Sequence, residues 1–339
     1  MAKRKKRQKI VKKPLWLVIL LVCLSLTLSV IFEMNARNIS LTPEHLLAYL
    51  KGEEIATEQP MSQPTIPATG EATFQFLNVG QGDATLIKGS DGTTILIDTG
   101  RYDDREKRII GYLNEAIGTG GKIDLLIFTH GDSDHIGHGD LVLDYFDVKE
   151  VWMNGFDSTT KIYERLLDRI SASKAVYKEP KRGETATFGE FQLEVLNPTE
   201  IPKSNTNDDS ISVMLHFGTF SALFTGDAST RVEKELLTTQ LPLQATLFQV
   251  GHHGSKDSNS LTFLQRVAPK IAVYSAGVNN TYGHPHIEAM NRIKEVGVTE
   301  LYGTDQNGSI TLTVKNDGSY TWQLEKGENL INTFNQKEK

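Results

Sequence analysis

The stretch LLIFTHGDSDHIGH, residues 125–138, decides how this chain reads. The apolar run IDLLIF, residues 123–128, has the length and composition of a buried strand. It ends on three histidines and two aspartates within the nine residues from His130 to His138. Such groups are costly to bury and like charges repel, so a multivalent cation is the simplest physical reason to gather them. His130, Asp132, Asp134 and His135 follow the pattern HxDxDH. Alternate positions on an extended strand end point the same way, so His130, Asp132 and Asp134 are expected to converge, with His135 at the turn that follows. This mixture of oxygen and nitrogen donors suits Zn2+ or Mn2+. For the loop alone, an acidic cap for the next helix is the ordinary alternative, and His138 is left outside the site.

More distant segments repeat the arrangement. ALFTGDAS ends an apolar run on Asp227, whose carboxylate stands where it can bridge two ions. TLFQVGHHGS ends another on His252 and His253, and GVNNTYGHPH sets Asn279, His284 and His286 in a Gly/Pro loop after a third. Singly, Asp227 reads as a cap for a helix from Ser229, and His284 as a turn residue before Pro285. Strand ends that repeatedly deliver His or Asp point instead to one metal-binding edge.

The runs ATFQFLNV, ATLIKG and TTILID read as a β-meander. Helical spacing follows in DDREKRIIGYLNEAIG and KIYERLLDRISAS, then strands in SISVMLHFG and FSALFTGD. A second alternating stretch places helices from Ser229, Ser258 and His286 between strands ATLFQV and IAVYSAG, with closing strands near Ile310 and Tyr320. Two β-then-α halves predict an α+β fold, two sheets face to face with helices outside.

The formal net charge of −6 hides a split, because the first thirteen residues hold eight Lys and Arg and no acid. The remaining body is strongly acidic and a poor non-specific binder of phosphate backbones. One cysteine, Cys23, excludes an intrachain disulfide and a cysteine-based zinc site. Residues 15–32 are apolar and uncharged, about the minimum needed to cross a bilayer. With positive charge before them, they predict a single-pass signal anchor that leaves the body outside the cytoplasm. A cleaved signal peptide is the rival. The expected organisation is a basic cytoplasmic tail (1–14), a transmembrane anchor (15–32), a linker (33–70), a main folded domain (71–326) and a C-terminal tail (327–339).

Taken in order, FLNVGQGDATLI, LIDTG, THGDSDHIGH, LFTGDA, GHHGS and SAGVNNTYGHPH resemble the metallo-β-lactamase superfamily, and more narrowly the C-terminal nuclease-like domain of ComEC-type competence proteins. The resemblance implies a four-layer αβ/βα sandwich, two divalent ions and hydrolysis. Carried over by position, it implies His130 and Asp132 on the first ion, Asp134, His135 and His253 on the second, and Asp227 bridging. Asp98 would orient a ligand histidine from behind. Asn279 and His284 would face the substrate. Asp134, His252 and His284 are the residues expected in catalysis, His252 as an alternative ligand or proton donor.

One departure stands out: where superfamily members carry a further histidine upstream of the bridging aspartate, this chain has SNTNDDSIS, residues 204–212. Asn207, Asp208 and Asp209 remain alternative substitutes, while His216 is left in its strand. The expected function is a membrane-anchored, extracytoplasmic phosphodiesterase or nuclease that uses metal-activated water on a phosphodiester, DNA among the candidates. The alternatives are a phosphorylcholine-esterase-like enzyme on surface polymers, suggested by the spacing of Asp227 and His253, and an inactive tethered binding protein.

Overall fold

Residues 69–201 and 207–336 are described by a computed structural model. The expected tail, anchor and nearly all of the linker lie outside the described residues, among which no helix is long and apolar enough to cross a membrane.

Two large sheets carry the fold. The first runs Tyr320–Leu324, Ile310–Lys315, Glu71–Phe76, Thr85–Gly89, Thr94–Ile97, Leu125–Ile127, Glu150–Trp152 and Val176–Lys178. Its pairings are antiparallel as far as Thr94–Ile97 and parallel beyond. The second sheet repeats the scheme in the order Glu300–Gly303, Ile271–Tyr274, Leu247–Gln249, Phe220–Phe224, Ser212–Phe217, Phe191–Asn197 and Thr185–Phe188. Here the antiparallel meander comes from Thr185 to Phe224, and the last three strands add in parallel. Parallel neighbours require crossovers, and helices supply them.

The buried side chains fall into three clusters, and their membership fixes the layers. Phe74, Phe76, Ile95, Ile97 and Leu125 of the first sheet meet Leu193, Val213, Phe217, Phe220 and Phe224 of the second in the sandwich interior. The other face of the first sheet, with Leu86, Leu96 and Leu126, packs on helices Arg108–Ile117, Gly139–Tyr145 and Lys161–Ala172. The other face of the second, with Met214, Leu223, Phe248 and Ala272, packs on Thr230–Leu237, Leu261–Val267 and Ile287–Glu295. The result is helix, sheet, sheet, helix, as expected.

Local chemistry sets the helix starts. Thr160 Oγ1 accepts from Tyr163 N at 3.3 Å, and Ser229 Oγ accepts from Arg231 N at 3.2 Å. Residues 327–336, expected as a tail, instead include Leu330, buried in the second sheet's helical layer.

The HxDxDH loop differs from expectation in one respect. It is a turn rather than an extended strand end: His135 N and Ile136 N both donate to Asp132 O at 3.0 Å. Side-chain alternation along a strand therefore does not bring His130, Asp132 and Asp134 together. A turn held by neighbouring loops does, through Asp83 N to Asp134 O (3.2 Å), Thr99 N to His135 O (2.7 Å) and Gly137 N to Gly100 O (3.0 Å).

Candidate metal centre

The polar loops collect where the parallel strands end, the usual place for a ligand in sheets built from crossovers. Strand Thr94–Ile97 delivers Asp98 in the left-handed region, φ 59°. Its carboxylate accepts from Thr129 N (2.9 Å), Thr129 Oγ1 (2.8 Å) and His135 Nδ1 (2.8 Å). Because Thr129 Oγ1 gives its proton to Asp98, it is left to accept from His130 Nδ1, 3.1 Å away. His253 Nδ1 donates to Ser275 O at 3.0 Å. All three imidazoles are thereby fixed with Nδ1–H engaged and a bare Nε2.

Those three Nε2 atoms, together with Asp227 Oδ1, are buried and have no hydrogen-bond partner. They face one another: Asp227 Oδ1 lies 3.4 Å from His135 Nε2, and Asp227 Oδ2 lies 3.7 Å from His253 Nε2 and 3.9 Å from His130 Nε2. Asp134 Oδ2 is 3.4 Å from His253 Nε2. Atoms of Asp83, His135, Asp227 and His253 all lie within 4.8 Å of one another. Lone pairs converging at this spacing, with nothing else to satisfy them, fit a divalent cation.

The electrostatics agree. Burial opposes charge on Asp227, but His135 and His253 outweigh it and hold the carboxyl well below its ordinary range. Burial likewise opposes protonation of His253, yet Asp227 and Asp83 push the ring up to about 9. The carboxylates thus demand positive charge inside a closed site, and a cation meets that demand with less crowding than protons on several imidazoles.

The residues proposed for the first ion gather more loosely. Asp132 Oδ2 is 3.6 Å from His130 Nε2, and its side chain is 43% exposed, so this side opens to solvent. Of the substitutes for the missing histidine, Asp208 is engaged elsewhere, by Ser229 N (3.1 Å) and Arg231 Nε (2.7 Å). Asn207 places its side-chain amide 3.3 Å from His252 Nε2, which in turn is 3.5 Å from Asp227 Oδ2. His252 therefore stands on the first-ion side, between Asn207 and the bridging carboxylate.

His252 and His253 are consecutive residues in the left-handed region, φ 52° and 53°. Asn259 clamps their loop, donating from Nδ2 to Gly251 O (2.9 Å) and Ser255 O (3.2 Å) and accepting from Gly251 N (2.9 Å). Farther out, His284 stacks on His253 (ring centres 5.8 Å apart) and on the exposed Tyr282 (5.7 Å). Burial and the neighbouring His253 and His252 lower its pKa to about 4. Asn279 is exposed and lines a cavity of about 360 Å³ with His284 and Tyr274. The loop itself is held by Asn280, whose Nδ2 donates to Gly277 O (2.9 Å) and His284 O (2.6 Å).

Sequence reading misses Asp83, Asn259 and Ser210. Ser210 Oγ donates to Asn207 O (2.7 Å), accepts from Asp227 N (3.1 Å) and sits 3.4 Å from His130 Nδ1. Asp83 lies inside the VGQGDA segment, where the pattern alone gives it no role; its Oδ2 is 3.8 Å from His253 Nδ1.

Residues 77–278 match the Metallo-beta-lactamase superfamily. The chain is 33% identical over 268 residues to ComE operon protein 3 of Bacillus subtilis, which covers 75% of this chain and 34% of that protein. It is 29% identical over 301 residues to Competence protein ComA of Neisseria gonorrhoeae, covering 88% and 38% respectively. Recombination protein 2 of Haemophilus influenzae is 31% identical over 226 residues, covering 64% and 26%. The chain thus spans 26–38% of the length of these curated relatives.

Proposed function

The chain belongs to the metallo-beta-lactamase superfamily, and from that premise we propose that it is a metal-dependent phosphodiesterase acting on DNA. The observation that carries the reading is the buried set of Asp83, His135, Asp227 and His253, with donor atoms within 4.8 Å of one another. The names of the relatives, a competence protein and a recombination protein, supply the leaning toward DNA.

A bound pair of divalent cations would supply an acidified water and offset the charge that develops on phosphoryl oxygens. His135, His253, Asp134 and Asp227 would hold the inner ion, and His130, Asp132, Asp227 and His252 the outer one. Asp98 keeps His135 in the tautomer that presents Nε2. The exposed carboxylate of Asp132 marks the open side by which substrate enters.

His284 lies at the outer side of the histidine cluster, stacked between His253 and the exposed Tyr282. A ring whose pKa is lowered to about 4 is neutral at pH 7, so it serves as a hydrogen-bond partner for a phosphoryl or leaving oxygen more readily than as a stored proton. The flat surface of Tyr282 beside it offers a base a place to stack. The apolar segment of residues 15–32 would tether this domain to the membrane with its open edge outside the cytoplasm. Zn2+ and Mn2+ are both compatible with the donors.

The test is hydrolysis of bis-p-nitrophenyl phosphate by the full chain with Mn2+ or Zn2+. Wild type is expected to turn over, and Asp134→Ala to lose at least about a hundredfold; equal rates would end the proposal. Shortening of linear DNA, set against release of phosphocholine from a phosphocholine ester, then separates the two substrate classes.

A further inference from the structure

We propose that the cavity walled by the 277–285 loop, the 304–307 turn and the C-terminal segment 330–334 is a nucleobase subsite, holding the base of the nucleotide whose phosphate lies at the metal centre. The inference rests on the DNA-directed reading above for its choice of ligand and adds to it the groups that hold the base.

The cavity measures about 360 Å³ and shares a wall with the site, because His284 lines it while stacking on His253, ring centres 5.8 Å apart. Its lining mixes apolar surface, from Leu330, Phe334 and the ring of Tyr274, with the polar side chains of Asn279, His284 and Asp305. That mixture is the makeup of a small-molecule site.

The walls are built before any ligand arrives. Thr304 Oγ1 accepts from Ala276 N and donates to Ala276 O, both at 3.0 Å, which ties the start of the loop to the turn. Asn280 Oδ1 accepts from His284 N at 3.0 Å, and His286 N donates to Gly254 O at 2.9 Å where the loop rejoins the GHHGS segment. On the far side, Asn329 Oδ1 accepts from Leu301 N and Ile331 N, both at 3.0 Å, so the C-terminal segment is fixed against strand Glu300–Gly303.

Tyr274 Oη, Asp305 Oδ1 and His284 Nδ1 are buried with no hydrogen-bond partner, and all belong to lining residues. Tyr274 is fully buried, its ring seated over Gly303, where a Cβ would lie 1.9 Å from Cζ. Burial and the nearby Asp305 hold the phenol above its ordinary pKa, so it keeps its proton, yet the hydroxyl and Asp305 Oδ1 are each left without a partner. Polar atoms buried in this state are costly unless a ligand satisfies them. A protonated hydroxyl near a bare carboxylate oxygen offers one donor and one acceptor. The Watson–Crick edge of a base sets an acceptor beside a donor on a flat ring, the complement of that pair. A quaternary ammonium, the head of phosphocholine, would suit the carboxylate and the rings, but it accepts no hydrogen bond and leaves Tyr274 Oη unsatisfied. The hydroxyl therefore favours the base.

The experiment is equilibrium dialysis of the full chain, with Mn2+, against deoxynucleoside monophosphates, phosphocholine and deoxyribose 5-phosphate, which carries the phosphate and no base. A nucleotide is expected to bind at least about tenfold more tightly than deoxyribose 5-phosphate, and that ratio to fall to about one in Tyr274→Phe and Asp305→Ala. Should those variants not fold, Thr333→Trp, which fills the cavity from an exposed lining position, is expected to have the same effect. Equal binding of nucleotide and deoxyribose 5-phosphate, no binding of any nucleotide, tighter binding of phosphocholine, or a ratio unchanged in the folded variants would each overturn the proposal. Turnover of bis-p-nitrophenyl phosphate is read separately. Turnover without the base-dependent ratio removes the subsite alone, and the ratio without turnover removes the hydrolytic reading alone.

Discussion

His252 and His253 each carry a positive φ that a side chain rarely adopts, at a cost on the order of 1–3 kcal/mol apiece. A chain holds such strain where the resulting direction of the side chains matters, and here it turns two rings toward Asp227. Asp98, also at positive φ, has the complementary task of fixing His135. Asp98→Asn keeps the shape but removes the charge that holds the imidazole tautomer. It is expected to weaken metal binding by about ten- to a hundredfold without unfolding the chain, measured by metal titration with circular dichroism as the control. The paired residues of HxDxDH, Asp98 in LIDTG and the GHHGS histidines are legible in the sequence because each follows an apolar run. Asp83 is not, because its meaning lies in a neighbour 170 positions away, His253, and no local pattern announces that meeting.

At the scale of elements, amphipathic spacing announces the helices at 161–172, 230–237 and 287–295 from the sequence alone, and the side chains of Thr160 and Ser229 cap the first two. Strands Val176–Lys178 and Thr185–Phe188 escape such a reading, for a physical reason. They are sheet-edge strands, the first exposed at every position and the second alternating exposed with half-buried, so they show no buried face. The HxDxDH pattern picks out the right residues with the wrong geometry, since backbone bonds from two other loops shape the turn. Gly137 is the tightest point of that assembly. A Cβ there would lie 2.2 Å from Tyr102 N and 2.4 Å from Gly100 O, both backbone atoms that cannot yield cheaply. Gly137→Ala is therefore expected to destabilise the fold by about 1–3 kcal/mol, read by denaturant unfolding, and to lower metal affinity as well.

At the scale of the whole molecule, the sandwich interior and the site are separate matters. The interior closes with Phe74 and Phe220 in contact, ring centres 5.4 Å apart, and needs no ion. The site at its edge gathers Asp83, Asp98, Asp134 and Asp227, whose mutual repulsion bound cations would relieve. Chelation is accordingly expected to leave a folded protein with a lower melting temperature. At free metal near a hundred times Kd the loss is about 2.7 kcal/mol, a fall on the order of 5–10 °C for a domain of this size. Calorimetry with and without EDTA measures it, and an unchanged melting temperature would contradict the coupling. The two-sheet architecture is legible from the alternation of β and α segments, whereas the packing of residues 327–336 is not, since one buried leucine leaves no periodic signal.

Metal analysis of the full chain, saturated with Mn2+ or Zn2+ and freed of excess, tests the central claim most directly. Wild type is expected to retain about two ions per chain, and Asp227→Ala at most about one. A wild-type chain that keeps no ion under either metal would contradict the account.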